Sequence, residues 1–157
     1  MFSRSAHLYD AIYSFKDYAG EAETLRALVE ERAPGARSLL DVACGTGTHL
    51  AELRRWYDVE GVDVDPALLA IARERLPDVP LHEGDMVTLE LGRAFDVVTC
   101  LFSSIAYVVT PERLAAATAA LARHVAPGGL LVVEPWILPE QWAPDHIGAV
   151  FVDEPEL

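Results

Sequence analysis

Asp41, Asp63 and Asp85 each stand at the end of an apolar run, and Gly45 and Gly47 follow the first of them. In "LLDVACGTGTHL" (39–50) the run Ser38, Leu39, Leu40, Val42 reads as a buried strand broken by an acid. Glycine tolerates positive φ and lacks a Cβ, so backbone at Gly45 and Gly47 can approach a ligand closely. His49 to Leu53 reads as a helix. Strand, glycine turn and helix make a nucleotide-binding crevice. Asp63 ends "DVEGVDV", where a carboxylate can accept two hydrogen bonds from ribose hydroxyls. In "HEGDM" (82–86), Asp85 is placed to accept from an adenine amino group, and the N–H of Met86 to donate to the ring.

Two nucleotide classes use this layout. A dinucleotide wants G-x-G-x-x-G, and here the third glycine position is Leu50. A carboxylate at Asp41 would repel a pyrophosphate and would suit an ammonium and a sulfonium. The ligand with those groups is S-adenosylmethionine, with S-adenosylhomocysteine as its product. A dehydrogenase is disfavoured by the same two residues. An acid after a strand also serves as a cap or turn former; Asp65, before Pro66, is read only as a helix cap.

These residues need elements to position them. Helical spacing covers 21–33, roughly 47–56, 66–76 and 111–125, the last stopped by Pro127, Gly128 and Gly129. Strands are expected at 38–42, 58–64, 79–84, 95–102 and 130–134. Strands alternating with helices predict an α/β fold, a Rossmann-like doubly wound parallel sheet. The 157 residues read as one domain: N-terminal helices or a lid (1–35), a cofactor-binding core (36–135) and the start of a substrate-binding region (136–157). Composition is 52% hydrophobic, too high for a disordered chain. No stretch is long and apolar enough for a membrane span. Two cysteines, Cys44 and Cys100, are too few for a disulfide framework, which points to a cytoplasmic setting. A formal charge of −13 argues against a nucleic-acid partner.

The acceptor side is less defined. "HLYDAIYSFKDY" carries Tyr9, Tyr13, Phe15 and Tyr18, either core packing or a lid over the crevice mouth. Ser103 and Ser104 follow the fourth strand and could hold substrate or cap a turn. Glu134 and Trp136 follow the fifth, where an acceptor pocket should open; Trp136 could equally pack at its rim. Lys16 could meet a substrate phosphate or sit solvated. His7 could reach the lid, His49 is read as structural, His82 sits within the third strand, and His124 is read as favouring a helix dipole. Cys44 is a small loop residue without a base. No Cys/His cluster has zinc spacing, and no metal is expected.

Together with "VEGVDVDPALLAIAR", "FDVVTCLFSSIAYV" and "PGGLLVVEPW", these stretches resemble the successive motifs of class I S-adenosylmethionine-dependent methyltransferases. More narrowly, "ACGTGTHL", "FSSIAY", "VVEPW" and "YDAIY…KDY" resemble the amino-sugar N,N-dimethyltransferases of deoxysugar biosynthesis. The resemblance spans roughly residues 8–142. It implies methyl transfer to the amine of a nucleotide-linked amino sugar. It implies that Tyr9 and Tyr13 orient that amine, and that Ala43, Val64, Leu101 and Phe102 join Asp41, Gly45, Gly47, Asp63, Asp85 and Met86 around the cofactor. The class I fold closes its sheet with two further strands, and 23 residues after Glu134 cannot supply them. The sheet is therefore expected to lack its last two strands, with "AVFVDEPEL" beginning a further sheet. An open edge favours pairing with another chain, a possible homodimer. Weak cofactor binding and little activity of these 157 residues alone are expected. The alternatives are an O- or C-methyltransferase of another small metabolite, or a fragment that binds the cofactor without transfer.

Overall fold

The structure, a computed structural model, describes residues 6–135. Five parallel strands lie in the order β3-β2-β1-β4-β5. They are β1 (Ser38–Val42), β2 (Asp58–Asp63), β3 (Leu81–Glu83), β4 (Phe95–Cys100) and β5 (Val125–Val133). A 3-10 helix (Ala6–Leu8), α1 (Tyr9–Ile12) and α2 (Tyr18–Arg32) precede the sheet. Crossovers run through α3 (Thr48–Leu53), α4 (Pro66–Arg75) and α5 (Pro111–Arg123). The α/β parallel sheet is thus as the alternation of elements predicts.

β1 is central, so its side chains need apolar partners on both faces. Alternation along the strand sends Leu39 into one core and Leu40 and Val42 into the other. The first core is closed by Ala22, Leu25 and Val29 of α2 and Leu50 and Leu53 of α3. The second is closed by Ala117, Ala120 and Leu121 of α5. Asp41 pairs in register with Gly61 on one side and Thr99 on the other. The chain leaves β1 toward β2 and returns on the far side as β4. A crevice opens at the carboxyl ends where the strand order reverses.

Gly61 is required by packing. A Cβ there would lie 2.6 Å from Leu50 Cδ1, 2.7 Å from Leu81 Cδ2 and 2.8 Å from Cys44 Sγ. Gly61→Ala is expected to destabilise by about 1–3 kcal/mol through overpacking. A thermal melt checks this, and an unchanged midpoint would show that α3 can move aside.

Three boundaries differ from the spacing by three residues or more. α2 starts at Tyr18 rather than 21, because the Asp17 carboxylate caps it by accepting from Gly20 N at 2.9 Å. Its first turn, Tyr18 to Glu21, holds no aliphatic residue larger than alanine, so apolar periodicity does not register it. α3 ends at Leu53, three residues early, and a turn leads to Tyr57. β5 begins at Val125 and runs through Pro127–Gly129 instead of starting at Leu130. Phe95 pairs with Val125 but Val97 with Leu130, so those residues form an irregularity inside the strand. Pro and Gly mark that bulge, not a helix stop followed by a loop. β5 is the sheet edge among the described residues, and none of its residues is buried. No helix among the described residues is long and apolar enough to cross a membrane. The readings made for Trp136 and for "AVFV" (149–152) lie outside the described residues.

Candidate cofactor site

Three adjoining cavities open at the carboxyl ends of the strands, and Ala43 lines all three. The first is bounded by Asp41, Gly45, His49 and Leu101. The middle one, about 140 Å³, is bounded by Gly45, Asp63, Val64 and Met86. The third, about 230 Å³, is bounded by Val64, Asp85, Met86 and Tyr107. Ten sequence-selected residues therefore meet in one crevice or on its wall: Tyr9, Asp41, Ala43, Gly45, Asp63, Val64, Asp85, Met86, Leu101 and Phe102.

The glycine loop has its shape for a local reason. Ala43 (φ 64°), Gly45 (58°) and Gly47 (76°) are all left-handed, a conformation that costs a residue with a Cβ about 1–2 kcal/mol. The loop turns sharply from β1 into α3, with Gly47 as the N-cap. Gly45 N then donates to Asp63 Oδ2 at 2.8 Å, and Asp65 N to Asp63 Oδ1 at 2.8 Å. A carboxylate offers about four acceptor positions, so room remains for a ligand. Burial pushes the Asp63 carboxyl up, against these backbone N–H groups. Asp65 caps α4 by accepting from Ala67 N, as its sequence context indicates.

Asp41 is 2% exposed. Thr99 Oγ1 donates to its Oδ1 at 2.7 Å, and it forms no salt bridge among the described residues. Burial pushes its carboxyl up to about 6, against the nearby His49 and the Thr99 hydroxyl and with help from Asp63. A buried acid with one neutral partner favours whatever cation can reach it.

Asp85 Oδ1 accepts from Val87 N at 2.9 Å, a local turn, and Oδ2 pairs with Arg113 Nη2 at 3.2 Å. Arg113 sits two residues into α5, and nothing in its spacing announces that it reaches Asp85.

The N-terminal aromatics stand over the crevice. Tyr9 lines two of the cavities and lies 4.7 Å, ring to ring, from Tyr13. Tyr13 meets Phe102 edge-on at 4.9 Å. Burial, with Tyr13, Tyr18 and Tyr107 nearby, holds the Tyr9 hydroxyl well above the usual phenol range. Phe102 and Ser103 are both left-handed (φ 51° and 56°). Glu134 Oε2 accepts from Phe102 N at 2.7 Å, and Ser103 Oγ donates to Pro135 O at 3.1 Å. Ser103 and Glu134 thus hold the loop after β4 onto the end of β5.

Several contacts escape sequence reasoning. Lys16 is not solvated: its side chain is 8% exposed, pairs with Glu21 and lies 4.6 Å from the centre of the Phe102 ring. Glu21 also bonds His49 Nε2 at 2.9 Å, so His49 joins α2 to the first cavity. His82 pairs with the buried Glu60. His124 is 1% exposed; its Nε2 accepts from Leu91 N at 3.0 Å while Nδ1 bonds Ala120 O at 2.7 Å. With Nε2 accepting, the proton lies on Nδ1, so the ring is a neutral bridge between α5 and the 84–94 loop and not a charge on the helix dipole. Cys44 and Cys100 are buried free thiols, and burial raises both.

Asp41 near the end of β1, Asp63 at the end of β2 and Asp85 just after β3 line this crevice, and comparison with known proteins shows the family of the chain. The chain belongs to the methyltransferase domain family, whose model matches residues 39–129. It is 48% identical over 147 residues to the dTDP-3-amino-3,4,6-trideoxy-alpha-D-glucopyranose N,N-dimethyltransferase of Streptomyces venezuelae, covering 92% of this chain and 62% of that one. The crystal structure of Streptomyces venezuelae DesVI superposes with a TM-score of 0.90 at 46% identity, covering 96% of this chain and 65% of that one. A SAM-bound amino pentose methyltransferase from Micromonospora echinaspora, involved in calicheamicin biosynthesis, superposes with a TM-score of 0.89 at 44% identity, covering 94% and 64%. The chain spans about three fifths of the length of the three curated N,N-dimethyltransferases to which it is 46–48% identical.

Proposed function

We propose that the crevice holds S-adenosylmethionine and that the protein transfers its methyl group to the amine of a nucleotide-linked amino sugar, leaving S-adenosylhomocysteine. The observation that carries this reading is Asp41, a buried carboxylate with a single hydroxyl partner, at one end of a crevice that runs past Asp63 to Asp85. The donor set fits the group. Asp41 would face the ammonium, the open positions on Asp63 the ribose hydroxyls, and Asp85 with Met86 the adenine. Ala43 and Gly45 keep backbone close, whereas Gly47 lines none of the three cavities and faces Ala72 and Leu76; Val64, Leu101 and Phe102 supply apolar wall. When bound, the cofactor supplies an electrophilic methyl on a sulfonium.

The chain's own residues orient and exclude water. A Tyr9 hydroxyl held protonated by burial serves as a donor or acceptor to an amine and not as a base. Tyr13, beside it and against Phe102, closes the same wall. The acceptor amine then arrives neutral, with its own lone pair, and alignment supplies the rate. Ser103 and Glu134 act in the acceptor pocket by holding the loop that carries Phe102. The amino-sugar preference rests on the relatives named N,N-dimethyltransferases of dTDP-amino sugars. The test is a transferase assay read by mass spectrometry, with a dTDP-amino sugar, its hydroxy counterpart and a catechol as acceptors. Successive methyl additions on the amino sugar alone are expected. Methylation of an oxygen acceptor in its place would overturn the substrate reading.

A further inference from the structure

Asp10, Thr46, Thr48 and Arg75 form a polar cluster that the cofactor reading does not use. Thr46, 1% exposed, donates from Oγ1 to Asp10 Oδ1 at 2.6 Å. Arg75, in the last turn of α4, pairs through Nη2 with Asp10 Oδ2. Its Nη1 donates to the Thr46 carbonyl, to Thr46 Oγ1 at 3.0 Å and to Thr48 Oγ1 at 2.8 Å. One guanidinium therefore ties a carboxylate of α1 to both threonines of the "CGTGT" loop. Arg75 lines none of the three cavities. α1 is four residues long and buries none of them, so apolar burial alone does not seat it. Yet α1 begins at Tyr9, and Tyr13 follows it directly.

We infer that Arg75 is a positioning residue: with Asp10, Thr46 and Thr48 it forms a clasp that seats the Tyr9–Tyr13 segment over the crevice and couples it to the glycine loop. Arginine suits this task because its planar fork holds several acceptors at once in a set geometry, which a lysine point charge does not. Because the loop and the aromatic segment share one anchor, a ligand that orders the loop lowers the entropic cost of seating the segment. What the crevice binds is taken from the cofactor reading; the clasp itself is independent of it.

The test is amide hydrogen exchange of this chain and its R75M, R75K, T46V and T46S variants, with and without S-adenosylhomocysteine. The amides of Tyr13, Ser14 and Lys16 bond within the segment, so its seating is readable. Without ligand, R75M and T46V should speed exchange in residues 9–16 by about tenfold, with β1 and β4 unchanged. T46S, which keeps the hydroxyl, should restore wild-type rates, and R75K should fall between. With ligand, the slowing seen in wild type should vanish in R75M, along with severalfold in affinity. Unchanged exchange in R75M and T46V would overturn the clasp. So would acceleration spread equally through β1 and β4, which would make Arg75 a general stabiliser. If wild type binds no S-adenosylhomocysteine, the cofactor reading fails, and the ligand-free comparison alone decides the clasp.

Discussion

Asp41→Asn should make the ligand-free protein more stable at pH 8 and a poorer binder of its cofactor. The Asp41 carboxyl ionises near pH 6 in the fold against an ordinary value of 3.8. The sign follows from linkage. Below about pH 3 the group is protonated in both states and costs nothing. As pH rises from there to 6 the unfolded chain releases a proton that the folded chain still holds, so stability is lost, and the loss levels off above 6. At about 1.36 kcal/mol per unit the full penalty is on the order of 2–3 kcal/mol. Asparagine keeps the Thr99 bond, because its Oδ1 still accepts. The difference in unfolding free energy between variant and wild type should therefore be near zero at about pH 3 and reach about 2–3 kcal/mol by pH 7. Taking the difference cancels every other titrating group. Affinity for S-adenosylhomocysteine should fall about tenfold or more, the worth of a hydrogen bond to a charged group. A lower melting point at pH 8 with affinity intact would make Asp41 a structural acid.

Asp63→Ala should be the most destabilising single change in the crevice. It removes the acceptor of both Gly45 N and Asp65 N at a site 7% exposed. Two buried N–H groups left unpaired cost about 2–5 kcal/mol together. Its effect on cofactor affinity then mixes a lost ribose contact with a slackened glycine loop. The ribose contact is isolated by keeping the protein intact and changing the ligand. Removing the 2′- or 3′-hydroxyl from S-adenosylhomocysteine should weaken binding by about 1.5–3 kcal/mol. Equal affinity for the deoxy analogues would remove Asp63 from the ribose role while leaving its hold on the loop.

The sequence made the crevice legible because its components are local. Asp41, Gly45 and Gly47 lie in one twelve-residue stretch, Asp63 ends β2, and Asp85 follows β3 by two residues. What it hid is carried by pairs far apart in the chain. Asp10 meets Arg75, Asp85 meets Arg113, and Glu134 meets Phe102 N. An arginine in a helix turn looks solvated until the fold decides what it faces. The Pro127–Gly129 irregularity shows the same limit. Proline and glycine mark a break in regular structure, and only the pairing with β4 shows that the break lies inside β5.

The central claim is that an adenosyl ligand carrying an ammonium occupies the crevice with that ammonium at Asp41. Isothermal titration of the chain with S-adenosylhomocysteine from pH 5 to pH 8, repeated with NADH, tests it most directly. The account predicts one site, preference over NADH, and affinity that falls as the pH drops through about 6 and the Asp41 carboxylate takes up its proton. Tighter binding of NADH, or S-adenosylhomocysteine affinity flat across that range, would contradict it.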